Sequence, residues 1–231
     1  MERWKGKIAV VTGSAFGIGC LEAVDNTENR INGYYPLRCD VSREEDVDAA
    51  FSFVERTLGG IDIMVNNAGV TDYTRVIESD RRAFERLLNI NVLAVAVCIN
   101  RAVRSMRERN VEGHVFNINS VLGHEIPSGY LSDADGCNGW NLYPTCKHGT
   151  VALTHTVRRE LCAIKAPIRI TSISPGLVKT RIAKDAPYVE DLLEKMPMLL
   201  PQDVADALLY ALGTRPEVQI TQLTIQVTGE P

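Results

Sequence analysis

The sequence predicts a single α/β domain in which helices cover both faces of a doubly wound parallel β-sheet. Short β-branched runs alternate with longer segments of helical periodicity, the pattern that βαβ units produce. The first β-branched run leads straight into a glycine-rich turn. We find no internal repeat, low-complexity tract or linker in the 231 residues, so one domain spanning residues 1–231 is expected.

The expected elements follow one another along the chain. Strands are predicted at residues 7–11, 61–65, 113–119, 168–173 and 219–227, and helices at residues 43–58, 80–107, 142–164 and from Pro201 onward. The helix at 43–58 places Val47, Phe51 and Val54 at helical spacing, and a glycine pair ends it. Pro201 opens its helix at a position that tolerates proline.

The overall composition excludes several classes of partner. A net charge of -4 gives no reason to expect nucleic acid or an anionic membrane as a partner. No apolar run approaches the roughly 20 residues that span a bilayer, and nothing resembles a targeting signal. The six cysteines and four histidines lack the spacing of disulfide scaffolds or metal sites. We therefore expect a cytoplasmic protein with free thiols and no bound metal.

The glycine-rich turn after the first strand is the first candidate binding site. Residues 12–19 place Gly13, Gly17 and Gly19 in the pattern G-x-x-x-G-x-G. Such glycines permit a tight turn, a close approach of backbone to a pyrophosphate, and close packing of helix on strand. The phosphates then lie against N–H groups at a helix N-terminus. The alternative interpretation is a glycine-rich turn that binds nothing.

Several further motifs follow in the order that one enzyme family uses. They are Asp40-Val41, Asn66-Asn67-Ala68-Gly69, Asn91 within Asn89-Ile90-Asn91-Val92, Ser120 at the end of Asn117-Ile118-Asn119-Ser120, Tyr143 and Lys147 as Y-x-x-x-K, and Pro175-Gly176 with Val178 and Thr180 beyond. Together with the glycine turn, this series resembles the classical short-chain dehydrogenase/reductase family over nearly the whole chain.

The resemblance implies a Rossmann-type enzyme that moves a hydride between a nicotinamide cofactor and an alcohol or carbonyl. The catalytic residues it implies are Asn91, Ser120, Tyr143 and Lys147. The cofactor-binding residues it implies are Gly13, Ser14, Phe16, Gly17, Ile18, Gly19, Asp40, Val41, Asn67, Ala68, Gly69, Tyr143, Lys147, Pro175, Gly176, Val178 and Thr180. By the same analogy, Lys147 holds the nicotinamide ribose and Asn91 supports a water in a proton path.

Reduction of a carbonyl requires a proton donor beside the oxygen that gains charge. A phenol has a pKa of about 10, and a nearby ammonium is expected to lower it by stabilising the phenolate. Tyr143 and Lys147 are four residues apart and share a helix face, with Pro144 tolerable in the first turn. Ser120 is expected to donate a hydrogen bond to the substrate oxygen.

The chain departs from the family between Gly19 and Asp40. Only 20 residues intervene where the family has a helix, a strand and a further helix, so roughly two dozen residues are missing, near Cys20-Leu21. Either the sequence omits a segment of the molecule, or the chain is a shortened variant with impaired cofactor binding, or one helix over residues 17–30 rejoins the strands. The missing strand normally lies between the first and third strands, so the sheet must close differently or stay open.

The position of Asp40 allows two interpretations. By family analogy, residues 38–41 end the third strand and Asp40 contacts adenine. A general spacing rule instead expects an acidic ribose ligand about 20 residues after the glycines, which would favour NAD.

A second departure from the family is a long polar insertion at residues 128–141, which includes Trp140. It forms either a lid over the substrate or a solvated loop.

Three phrases narrow the resemblance to the farnesol-dehydrogenase-like branch, near the dehydrogenase/reductase member 11 group: Met1-Glu2-Arg3-Trp4, Leu37–Ser42 and Tyr143–His148. This branch implies NADP, with NAD as the alternative, and a lipophilic alcohol or carbonyl of the isoprenoid or ketosteroid class. Phe16 places no basic side chain in the glycine turn to support NADP.

Residues 181–200 are the expected substrate loop. Its apolar residues are Ile182, Ala183, Pro187, Tyr188, Leu192, Leu193, Met196, Met198 and Leu199. The alternative is the core face of a short helix.

The family also implies a homodimer or homotetramer formed through the helices at 80–107 and 142–164. A catalytically impaired scaffold that binds a ligand or partner is the competing function, and epimerisation or dehydration on the same fold is a third.

Overall fold

The computed structural model describes residues 1–15, 17–19, 35–126, 139–183 and 195–229. Its sheet has five strands in the order β1-β2-β3-β4-β5, and all neighbouring strands are parallel. The strands are β1 Ala9–Val11, β2 Ile63–Asn66, β3 Gly113–Ile118, β4 Ile168–Pro175 and β5 Gln222–Ile225. The predicted parallel α/β architecture is confirmed.

The described helices match the predicted ones, with one division. They are α1 Glu44–Leu58, α2 Arg81–Leu88, α3 Ala94–Glu108, α4 Tyr143–Ala163 and α5 Pro201–Gly213. The helix expected at 80–107 is interrupted by a π-helical turn, Asn89–Leu93, which joins α2 to α3. Gly59 ends α1 in the left-handed conformation, at φ 83°, as a glycine after a helix commonly does.

Alternate residues of the sheet face two hydrophobic cores. On β2, Met64 packs in the core that contains Val47 and Phe51 of α1 and Ile99 of α3. Ile63 and Val65 point the other way, into the core formed with α5. Because successive side chains of a strand point to opposite faces, the strands β1 to β4 each contribute to both layers, whereas β5 contributes to the second core alone. Helices therefore cover both faces, as a doubly wound sheet requires.

The region before α1 differs from the prediction. Residues 38–41 were expected to end a third strand, but residues 35–40 have no regular structure and take no part in the sheet. The Asp40 carboxylate accepts hydrogen bonds from Ser42, which turns the chain into α1. Among the described strands, β1 is consequently an edge strand, paired only with β2. The possible helix at 17–30 lies largely outside the described residues.

One segment of the described chain, Arg81–Glu108, is long and apolar enough to cross a membrane by length and composition. Core helices of soluble proteins pass the same test. In this fold Ile99, Ala102 and Met106 of α3 are buried in the core against the sheet. One face of this segment therefore packs in the protein core, as in a core helix.

Candidate active site

A cavity of about 390 Å³ opens at the carboxyl ends of the strands. In a doubly wound sheet this edge is where ligands bind, because the loops that leave parallel strands meet there. The loops after β1, β2, β3 and β4 all contribute to its wall. The lining residues include Gly13, Gly17, Ile18, Asn67, Ala68, Gly69, Ser120, Tyr143, Lys147, Pro175, Gly176, Val178 and Thr180. The structure thus brings together most of the residues that the sequence predicted.

The glycine turn is held against the loop that follows β2. Asn67 donates from Nδ2 to the carbonyl oxygens of Thr12, at 2.9 Å, and Gly13, at 3.2 Å. The Thr12 hydroxyl accepts from the backbone N–H groups of Asn67 and Ala68, each at 3.1 Å. Gly13 has φ +68°, and a Cβ there would lie 2.9 Å from the Ala68 Cα. Glycine is therefore required by both the backbone angle and the space.

Tyr143 and Lys147 lie on the first turns of α4 and are both buried. Pro144 occupies the tolerated first turn, as predicted. The Lys147 ammonium donates to the Ile118 carbonyl at 2.9 Å and lies 5.4 Å from the centre of the Tyr143 ring. Ser120 follows the end of β3, and its Oγ accepts from the Leu122 N–H at 3.1 Å. The three side chains therefore converge on one wall of the cavity.

The expected lowering of the Tyr143 pKa is wrong for this structure. Burial, the largest cause, raises the pKa of Tyr143 well above its usual value, although a hydrogen bond with Ser120 acts in the opposite direction. Burial also lowers the pKa of Lys147 to about 8. Each charged form is disfavoured because the protein removes it from water. Burial is therefore a larger influence on Tyr143 than the nearby ammonium.

Asn91 lies in the π-helical turn and is fully buried, beside the cavity but outside its lining. Its side chain makes two hydrogen bonds to Val70, donating to the carbonyl at 2.9 Å and accepting from the N–H at 3.1 Å. These bonds tie the α2–α3 segment to the loop after β2. The predicted water at Asn91 stays a prediction.

Other predicted residues lie away from the cavity wall. Ser14, Gly19, Asp40 and Val41 are not among its lining residues. Phe16 lies outside the described residues. In the expected substrate loop, Ile182 and Met196 line the cavity, Ala183 and Leu199 are buried and Met198 is half-buried, while Pro187, Tyr188, Leu192 and Leu193 lie outside the described part. Of the insertion at 128–141, only residues 139–141 are described, and Trp140 lines the cavity.

The sequence did not reveal two features, an aromatic row on the cavity wall and a left-handed asparagine just before α4. Tyr73, Trp140 and Tyr143 form an aromatic row, with ring centres 5.4 Å and 6.3 Å apart. Asn141, at φ +49°, donates from Nδ2 to Thr74 Oγ1 at 2.7 Å and accepts from the Leu142 N–H at 2.8 Å. Tyr73 could have been found, because it follows β2 at the ligand-binding edge of a parallel sheet.

A buried polar network beneath the cavity fixes α4 to β3. Asn66 donates to Asn117 at 2.8 Å, and Asn117 donates to Thr154 of α4 at 2.8 Å. One turn earlier, Thr150 donates to Asn119 at 3.2 Å. Buried polar groups that are all bonded hold neighbouring elements in one arrangement. The helix that carries Tyr143 and Lys147 is therefore positioned by residues outside the cavity.

Known proteins resemble this chain along most of its length. The family model described as short chain dehydrogenase matches residues 19–190. Farnesol dehydrogenase of Aedes aegypti is 36% identical over 256 aligned positions, covering 100% of this chain and 99% of that protein. Dehydrogenase/reductase SDR family member 11 of Bos taurus is also 36% identical, over 261 positions, with 100% and 99% coverage. These relatives confirm the predicted branch.

The comparisons also bear on the shortened region. An alignment of 256 positions that holds all 231 residues leaves about 25 positions without a residue of this chain. That number agrees with the roughly two dozen residues expected to be missing. Among solved structures, a short-chain type dehydrogenase/reductase from Mycobacterium marinum superposes with a TM-score of 0.80 at 26% identity, covering 98% of this chain and 97% of that one. The chain therefore belongs to the short-chain dehydrogenase/reductase family of oxidoreductases.

Proposed function

We propose that this chain is an NADP(H)-dependent oxidoreductase that interconverts a lipophilic alcohol and its carbonyl, with NAD(H) as the alternative cofactor. The observation that carries the proposal is the convergence of Ser120, Tyr143 and Lys147 on one cavity, opposite the glycine turn and the segment after β4. The choice of NADP rests on the likeness to the farnesol-dehydrogenase branch. The glycine turn itself does not support it, because none of its described side chains is basic.

The residues present fit the nicotinamide and pyrophosphate parts of such a cofactor. Gly13 and Gly17 present backbone without side chains to the cavity, which suits a pyrophosphate. Pro175, Gly176 and Thr180 form the wall on which the carboxamide would lie. Among the residues that the structure describes, no group of three histidine, cysteine or acidic side chains could hold a metal ion.

When bound, the nicotinamide supplies or accepts the hydride. Tyr143 donates a proton to the substrate oxygen in reduction. Burial raises its pKa, which keeps the phenol protonated at neutral pH but also makes it a weaker acid. Ser120 donates a hydrogen bond to the same oxygen and stabilises its developing charge. Lys147, one turn further along α4, would hold the ribose hydroxyls. Asn91 holds the loop after β2 in place through Val70.

The walls of the substrate side support a lipophilic substrate. Tyr73 and Trp140 contribute aromatic surface, and Leu177, Ile182 and Met196 contribute aliphatic surface. A relative of this chain is named farnesol dehydrogenase, which is consistent with an isoprenoid alcohol. A ketosteroid or another flat apolar carbonyl fits the same chemistry. Glu125, on the cavity wall and solvent-exposed, disfavours substrates that carry a carboxylate there.

We also propose a cytoplasmic homodimer or homotetramer. In the helical segment through which the family resemblance implies association, two apolar side chains are exposed, Leu88 at 40% and Leu93 at 56%. Contact with a second copy would remove this apolar surface from water. Light scattering on the purified protein tests the assembly, and a monomer at micromolar concentration would contradict it.

The decisive experiment compares wild type with Tyr143→Phe in farnesol oxidation and farnesal reduction, with NADP and NAD. Loss of the proton donor should reduce kcat about 1,000-fold, while the nucleotide Kd changes less than threefold. Tyr210→Phe, an exposed tyrosine on α5, is the matched control. Turnover of Tyr143→Phe within tenfold of wild type would exclude the proposed role. Failure of wild type to bind either nucleotide would favour the competing scaffold function.

A further inference from the structure

The aromatic row on the cavity wall starts at the proposed proton donor. The ring of Tyr143 lies 6.3 Å from that of Trp140, and the ring of Trp140 lies 5.4 Å from that of Tyr73, centre to centre. All three residues line the cavity. A substrate whose oxygen bonds to Tyr143 and whose chain follows the row therefore has aromatic surface beside the carbons next to that oxygen.

The backbone on both sides of Tyr73 is held by side-chain hydrogen bonds. The Asp72 carboxylate accepts from the Thr74 N–H at 2.9 Å and from the Thr74 hydroxyl at 2.6 Å, which closes a turn around Tyr73. Just before this turn, the Thr71 hydroxyl donates to the Ile182 carbonyl at 3.1 Å. The turn that presents Tyr73 to the cavity is therefore fixed to the segment that follows β4.

The same turn also holds the segment that carries Trp140. Asn141, the next residue, donates from Nδ2 to the Thr74 hydroxyl at 2.7 Å and to the Ser79 hydroxyl at 2.9 Å. The Tyr73 and Trp140 rings are thus attached to one hydrogen-bonded unit. Because side chains that are already ordered lose little freedom when a ligand binds, such a unit suits recognition by direct contact.

An aromatic wall distinguishes chains that apolar burial alone treats alike. Between two rings, stacked or edge-to-face contacts add roughly two- to tenfold in affinity beyond the area that they bury. A carbon–carbon double bond conjugated with a carbonyl is also a flat π system, whereas a saturated chain of equal length is not. Both chains bury similar apolar area, so only the rings favour the unsaturated one.

We propose that Tyr73 is a specificity-determining residue, which together with Trp140 selects substrates that have a carbon–carbon double bond next to the reacting carbon. The selected class is that of allylic alcohols and the matching α,β-unsaturated carbonyls. Thr71 acts as a positioning residue, because it fixes the turn that carries Tyr73. The inference rests on the proposed function and narrows its substrate class.

The test compares kcat/KM for farnesol and for 2,3-dihydrofarnesol, the same chain without the double bond next to the alcohol carbon. The ratio of the two values should be about threefold lower in Tyr73→Leu than in wild type. Allylic alcohols are intrinsically easier to oxidise, but that factor is common to all variants and cancels when the ratios are compared. Tyr73→Phe keeps the ring and should keep the ratio. Tyr210→Leu, at an exposed position of α5, is the matched control.

Two further variants test how the rings are held. Thr71→Val removes the hydroxyl that bonds to Ile182 and should lower the ratio, whereas Thr71→Ser keeps the hydroxyl and should preserve it. If Tyr73→Leu does not fold, Trp140→Leu removes the adjoining ring and should lower the ratio in the same way.

The outcomes separate this inference from the proposed function. Equal ratios in wild type and Tyr73→Leu would overturn the inference, and so would a ratio that falls in Tyr73→Phe, because the hydroxyl and not the ring would then be responsible. Wild type that oxidises both alcohols with equal kcat/KM would also overturn it, while leaving the proposed function standing. If wild type oxidises neither alcohol with NADP or NAD, the proposed function fails and the inference fails with it.

Discussion

The two ends of the parallel sheet both bury ionisable groups, but they do so in opposite ways. At the amino end, Asp62 pairs with Arg109 at 3.0 Å and accepts from the Ile8 N–H at 2.9 Å. Buried Arg169, at the same end, lies 3.8 Å from the Glu112 carboxylate and also bonds to Thr214 and Val218. At the carboxyl end, Lys147 bonds to an uncharged carbonyl.

The difference shows where buried charge serves stability and where it serves chemistry. A paired buried charge is fixed in one state, and removing its partner leaves an uncompensated charge. An unpaired ammonium in a cavity has its pKa lowered by burial, to about 8 for Lys147, and stays available to a ligand. Similar residue types therefore have different roles, which their partners decide.

The strongest test of this comparison concerns the charge of Lys147. Because its pKa is about 8, the ammonium is lost as pH rises through 8, and kcat/KM should fall above that pH. In Lys147→Arg the guanidinium stays charged beyond pH 12, so the fall should move to higher pH. Activity at pH 7 should drop about 100-fold, because the planar group replaces a point charge.

A pH–rate profile of both proteins decides the matter. If the falling limb stays at the same pH in Lys147→Arg, another group causes it and the assignment to Lys147 is wrong. A fall of kcat/KM that moves to higher pH in Lys147→Arg, together with a lower rate at pH 7, would support the comparison.

The next largest effect is expected at the amino end. Asp62→Asn keeps an oxygen for the Ile8 N–H but leaves Arg109 without a carboxylate. Breaking a buried pair costs about 3 kcal/mol, and we expect about 2 here because Arg109 is partly exposed. Urea unfolding measures the change. Asp48→Asn, in the exposed pair with Arg101, is the matched control and should cost under 1 kcal/mol. Equal losses in the two variants would contradict the distinction.

A smaller effect is expected where the cavity wall meets α4. Asn141→Gly keeps the left-handed backbone and removes the hydrogen bonds to Thr74 and Leu142, so kcat/KM should fall about tenfold. Asn110→Gly is the control, since Asn110 has a similar φ of 50° and is exposed at the end of α3. A loss of equal size in both variants would mean that backbone flexibility, and not the Asn141 side chain, causes the effect.

Much of the fold could be predicted from local pattern. Helical spacing of Val47, Phe51 and Val54 and the glycine after them were enough to place α1. The π-helical turn around Asn91 could not be found this way, because its residues continue the helical pattern and the turn differs from the flanking helices only in its backbone. For the site, the order of the family motifs identified Ser120, Tyr143 and Lys147, whereas Asn141 and Tyr73 belong to no motif.

By itself, the sequence determined the parallel α/β class, the family and the residues most suited to proton donation, because strand and helix periodicity and the order of motifs are local properties. Only the tertiary structure decided that β1 is an edge strand of the described sheet, that Asp40 bonds to Ser42 outside the cavity, and that burial raises the pKa of Tyr143. Those outcomes depend on which distant groups surround a residue, and a pattern of neighbours along the chain does not contain that information.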